Sequence, residues 1–71
     1  MYRPGSDLAH VYHHVSGINV NEVKLLPSSE IVGMDIARFR MNLSKVSKDA
    51  GMMFITRFDS HKEILTIRRI S

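Results

Sequence analysis

Residues 32–50 read VGMDIARFRMNLSKVSKDA, and within them Val32, Ile36, Phe39, Leu43, Val46 and Ala50 recur at intervals of four and three. At about 100° per residue those side chains fall on one narrow arc, so the stretch is an amphipathic helix with its apolar stripe turned to a core. Pro27 and Ser28 stand upstream, where Ser28 can cap the first turn, with Glu30 and Asp35 toward the positive end. Lys45 and Lys48 lie toward the negative end, and Gly51 fits the left-handed residue that closes a helix. The pattern predicts one long helix from Ser28 to Ala50. Gly33 is its weak point, costing about 1 kcal/mol relative to alanine.

Two short apolar runs rich in β-branched residues and arginine follow the helix. Met52 to Phe58 and Glu63 to Ile70 are expected to pair as a hairpin around Asp59-Ser60-His61-Lys62, with a two- or four-residue loop. Either loop puts Met52, Phe54, Phe58, Leu65 and Ile67 on one face. Met53, Ile55, Arg57, Ile64, Thr66, Arg68 and Ile70 then occupy the other. Upstream, Ser6 can cap a helix of about ten residues carrying Leu8, Val11, Tyr12 and Val15 at helical spacing and ending at Gly17. A strand is expected near Glu22 to Leu26, with Val23 and Leu25 on one face, after an irregularity at Asn21 and Glu22. The fold class is therefore α+β, a single domain of order αβαββ over residues 6–71 behind a flexible arm at 1–5. Its centre should be Val32, Ile36, Phe39, Leu43, Val46, Phe54, Leu65 and Ile67.

Size bounds the energetics. A chain of 71 residues with no cysteine has one small core and no disulfide to reinforce it. Self-association is the remaining reinforcement, and a homodimer is considered for that reason. No apolar run reaches the length that spans a bilayer, and residues 1–20 lack the pattern of a signal peptide. The expectation is a soluble protein of the cytoplasm, with no membrane partner.

Ten Lys and Arg against seven Asp and Glu give a formal charge of +3, large per unit area on so small a body, and direct attention to polyanions. Two basic surfaces are candidates. Behind the apolar stripe of the long helix, Met34, Ala37 and Met41 are flanked by Arg38, Arg40, Lys45 and Lys48, an arrangement suited to a nucleic-acid backbone or to another protein. Alternatively the first helix packs over Met34 and Met41 and the cations form a solvated rim. On the outer face of the hairpin, Arg57 and Arg68 should stand roughly 13 Å apart with Thr66 between them. They suit a groove of DNA, or they suppress edge pairing on a strand.

His10, His13 and His14 form a third group. His10 and His14 are spaced to share a metal on a helix, but no further ligand set joins them, so surface histidines and no metal are expected. No phosphate-binding glycine loop, no cysteine nucleophile and no paired carboxylates occur, and the chain reads as non-catalytic and free of cofactors.

One resemblance adds to this. Leu26-Pro27-Ser28, Ile36 and Arg40 in the helix, Ala50-Gly51, Phe54-Ile55-Thr56-Arg57 and Leu65-Thr66-Ile67-Arg68-Arg69 resemble a group of small proteins encoded by bacteriophages and prophages. The likeness covers about two thirds of the chain, from Val23 to Ile70. It implies an accessory role in a bacterial host cell. The leading expectation is a nucleic-acid-binding accessory protein using Arg38, Arg40, Lys45, Lys48, Arg57, Arg68 and Arg69, on DNA rather than RNA. The competing one is an inhibitor or adaptor that docks on a host protein through Met34, Met41, Ile55 and Ile64 at the helix back and hairpin edge.

Overall fold

The computed structural model describes residues 2–71; Met1, part of the expected arm, lies outside the described residues. The chain forms α1 (Asp7–Val15), β1 (Val23–Pro27), a short 3-10 turn (Ser28–Glu30), α2 (Ile36–Ala50), β2 (Phe54–Asp59) and β3 (Ile64–Arg69). This is the α+β fold of order αβαββ. The three strands make one antiparallel sheet in the order β1-β3-β2, and both helices lie on the same side of it. The outcome is a two-layer slab only 17 Å across its thinnest direction.

Local chemistry places each boundary. Ser6 Oγ accepts from the Ala9 amide at 3.1 Å and caps α1, as its residue type favours. The irregularity before β1 is a bulge: Asn21 takes a left-handed φ of 68°. There the Asn21 amide donates to Arg69 O and the Arg69 amide to Glu22 O, so that two residues oppose one. At the far end of α2, Gly51 sits at φ 68°, and the Met52 amide reaches back to Ser47 O at 3.0 Å. That is the Schellman closure expected for this glycine.

The start of the long helix differs from expectation. Ser28 does not cap it; Ser28–Glu30 is an isolated 3-10 turn, and α2 begins only at Ile36, well beyond the end of β1 at Pro27. Gly33 adopts a φ of 82°, which breaks any helix running through it. Asp35 takes over as cap, its Oδ1 accepting from the Arg38 amide at 2.8 Å. Aspartate caps as well as serine does, and it lies beyond the glycine. Val32 consequently leaves the stripe and is 71% exposed. Ala50, at the last turn, is exposed as well.

The core is assembled from both layers. Val11 and Val15 of α1 and Phe39, Leu43 and Val46 of α2 close over Leu26, Leu65 and Ile67 of the sheet, joined by Ile18 and Ile31 from the connections. Ile36, Phe54 and Phe58 pack at its margin. Alternation within β1 sends Leu26 inward and leaves Val23 and Leu25 on the outer face.

The hairpin keeps the expected faces in a different register. Phe58 pairs with Leu65 and Asp59 with Ile64, so the loop is Ser60–Glu63 and every pair is shifted by two residues. Asp59 Oδ1 accepts from the amides of His61 (2.9 Å) and Lys62 (3.2 Å), and Glu63 takes a φ of 53°. The aspartate thus organises a turn one residue later than the count of polar residues implies. A shift of two preserves which side chains face inward.

Phe39→Ala should lower stability by about 3–5 kcal/mol, whereas Val32→Ala should stay within about 0.5 kcal/mol of the parent. Urea denaturation of the two variants measures both. Equal losses would return Val32 to the core and α2 to its longer form.

Candidate nucleic-acid interface

The outward face of α2 is the first surface the fold creates. Phe39, Asn42, Leu43 and Val46 are its buried positions, and Ala37, Arg38, Arg40, Met41, Ser44, Lys45 and Lys48 are exposed. Placed at about 100° per residue, these exposed positions span an arc of roughly 160° from Arg40 through Lys48 to Arg38. The exposed Asp49 stands just outside that arc, about 20° beyond Arg38, and accepts from the Tyr2 hydroxyl at 3.1 Å. Ala37, Met41, Ser44 and Lys48 occupy the middle of the arc, with cations on both flanks.

The flanking cations differ in how free they are. Arg38 pairs with Asp7 at 2.7 Å, tying α2 to the first turn of α1. Both partners keep considerable exposure, so the pair contributes little to stability, yet the carboxylate offsets the charge that Arg38 presents to solvent. Arg40 Nε donates to Thr56 Oγ1 at 3.1 Å, which ties its guanidinium to β2 while the residue stays exposed. Lys45 and Lys48 have no acidic partner within 4 Å among the described residues.

The arginines of the hairpin do not join this surface. Arg57 and Arg68 project from the opposite face of the sheet, where Arg57 pairs with Thr66 and Arg68 with Ile55. The register makes them diagonal neighbours, about 7–8 Å apart at Cα rather than the roughly 13 Å expected. Arg69 turns inward instead: Nη1 donates to Ile18 O at 3.0 Å and Nε to Ser71 O at 3.2 Å. Its role is to fasten the loop after α1 to the end of β3.

The apolar candidates also separate. Met34 precedes the helix and packs against the core, its sulfur 3.8 Å from Asn42 Nδ2. Met41 is exposed on the outward face of α2; α1 does not cover it. Ile55 is exposed and Ile64 half-buried on the outer sheet face, beside Val23, Leu25 and Met53. Sequence reading had grouped Ile55 and Ile64 correctly with Arg57 and Arg68. It did not add Val23 and Leu25, because the strand order that sets β1 beside β3 has no local signal.

His10 and His14 are half-buried, while His13 and His61 are exposed. His14 lies edge-on to Phe39 (6.1 Å between ring centres) and to His10 (4.7 Å). Lys24 Nζ donates to His14 O at 2.8 Å and stands 3.5 Å from Nδ1. The His10 ring meets the Val32 amide, Nε2 accepting at 3.4 Å. Burial, then the Lys24 ammonium and the neighbouring His10 and His13, hold the His14 pKa below the ordinary value of 6.5, with a partly offsetting backbone contact at Glu30. Among the described residues no three metal-ligating side chains converge. A cleft of about 450 Å³ opens between the start of α1 and Val32-Gly33, but its Ser6 and Asp7 are engaged as helix cap and ion-pair partner. No helix in the described residues is long and apolar enough to cross a membrane.

No protein-family model, curated protein or solved structure matches the chain.

The lowered pKa of His14 fixes the sign of one pH effect. The folded state binds this proton less readily than the unfolded chain, so the contribution is neutral above about pH 6.5, turns against folding as pH falls below it, and is complete once pH has passed the lowered value. The urea midpoint should drop more between about pH 7.5 and about pH 5 in the parent than in His14→Gln. Identical pH profiles would show that the ring is not held in its neutral form.

Proposed function

We propose that this chain is a non-catalytic nucleic-acid-binding accessory protein of the phage or mobile-element type, and that the outward face of α2 is the surface that meets the nucleic acid. One observation carries the reading: the exposed arc from Arg40 through Lys48 to Lys45 and Arg38 holds cations and small or flexible side chains, and the carboxylate at its margin, Asp49, is engaged by the Tyr2 hydroxyl.

An α-helix with its side chains is about 10–12 Å across, matching a major groove about 12 Å wide. Ala37 and Ser44 are small enough to let the backbone of α2 approach base edges. Met41 offers a flexible apolar contact beside them. Arg40, Lys45 and Lys48 lie where phosphates would flank such a helix, and phosphate contacts supply position and most of the affinity. The major groove of A-form RNA is too narrow to admit a helix face, so duplex DNA suits this surface better than duplex RNA. Arg38 contributes less because Asp7 shares its charge. Arg57, Arg68 and Arg69 lie off this helix face, and the reading does not call on them at the α2 surface.

With about three phosphates neutralised, log K should fall with log salt at a slope of about −3. Fluorescence anisotropy on a short random-sequence duplex measures it. Lys48→Glu should weaken binding by about tenfold or more, and Arg57→Glu should leave it within about twofold. Binding that ignores salt, or that fails equally in both variants, would contradict the assignment to α2.

A further inference from the structure

The sheet has a second face that neither helix covers. Its rows follow from the register: Leu25, Thr66 and Arg57 lie side by side, then Val23, Arg68 and Ile55, and Met53 extends the apolar edge. Val23, Leu25, Met53 and Ile55 are between 50% and 64% exposed. An antiparallel sheet with one wet face ordinarily alternates apolar inside with polar outside. Here the wet face is largely aliphatic, the mark of a surface that another molecule covers.

We infer that this open face docks a protein partner whose contact surface sets carboxylates among apolar side chains. The inference is independent of the α2 interface, which lies on the other side of the slab. Two arginines decide the chemistry. Arg68 is flanked on both sides by aliphatic residues, Val23 and Ile55, and Arg57 sits diagonally from it. Neither has an acidic partner within 4 Å among the described residues. Any partner that covers the aliphatics also strips water from these guanidinium groups, a cost that only opposite charge supplied across the interface offsets. Carboxylates match the forked donors of arginine in pairs.

Other occupants fit less well. A second copy brings two more arginines to the contact and, from the strands, only Asp59 at the hairpin end to meet them. A nucleic acid finds phosphate-binding cations here, but Phe54 and Phe58 pack on the core, and the strand residues that the register sets on this face include no aromatic ring for bases to stack on. At one end of the face, Leu25, Asp59, Lys62, Ile64 and Thr66 line a recess of about 170 Å³. That is room for one apolar side chain of a partner, placed beside the arginines.

The test titrates the full chain, labelled for amide NMR, with a short synthetic peptide of alternating Leu and Glu, and separately with its Lys counterpart. The Glu peptide should shift amides at Leu25, Ile55, Arg57, Thr66 and Arg68 and leave α2 unmoved. Arg57→Glu combined with Arg68→Glu should weaken that binding by about tenfold or more, while a circular dichroism melt confirms that the variant folds. No response to the Glu peptide, or an equal response to the Lys peptide, would overturn the inference. So would sedimentation as a dimer that Ile55→Lys converts to monomer, which gives the face to a second copy. Duplex DNA that shifts these same strand amides would overturn it as well.

Discussion

Everything in this fold depends on one seam, the closure of Phe39, Leu43 and Val46 onto Leu26, Leu65 and Ile67. These six side chains are almost wholly removed from water, and with Val11 and Val15 they make up most of the core. A chain of this length has little else to hold it together. The seam also dictates orientation. Once those faces of α2 and the sheet are joined, the cations of the helix must point away from the body on one side, and the outer sheet residues must point away on the other.

The two free surfaces that result differ in kind. The helix face is cationic with small residues at its centre, and its field reaches into solvent to a distance set by salt. The sheet face is aliphatic with two arginines embedded in it, and it acts only on contact. Their separation across a thin slab means that a nucleic acid on one and a protein on the other do not compete for space.

Much of this architecture is legible in the residues. The α+β class, the element order, the capping by Ser6, the closure at Gly51 and the partition of hairpin side chains into two faces all follow from periodicity and local chemistry. Those signals are short-range and strong. Two competing caps stood upstream of the long helix, Ser28 and Asp35, and only the left-handed Gly33 between them decides for the second. The apolar repeat runs straight through that glycine and would place Val32 in the core, but its positive φ ends the helix and leaves Val32 in solvent. The hairpin register turned on Asp59, whose side chain organises the turn from inside the strand rather than from the loop.

Sites were harder to read than elements. A cation in a sequence carries no sign of whether an acid elsewhere in the chain reaches it. Asp7 claims Arg38, and the carbonyls of Ile18 and Ser71 claim Arg69; Thr56 steadies Arg40. Each of these contacts joins segments that only the tertiary fold brings together. The sequence offers seven cations on a helix back and a hairpin, and the fold sets those two groups on opposite faces of the slab and turns Arg69 into an internal brace. The aliphatic character of the outer sheet face emerges the same way, from β1 taking its place beside β3.

Native-state amide hydrogen exchange tests the seam most directly. The account predicts that amides in the body of α2 and in β3 exchange last and with the same opening free energy, as one cooperative unit, while residues 28–35 exchange early. Slow exchange continuing unbroken from Ser28 into α2, or α2 opening while the hairpin stays protected, would contradict it.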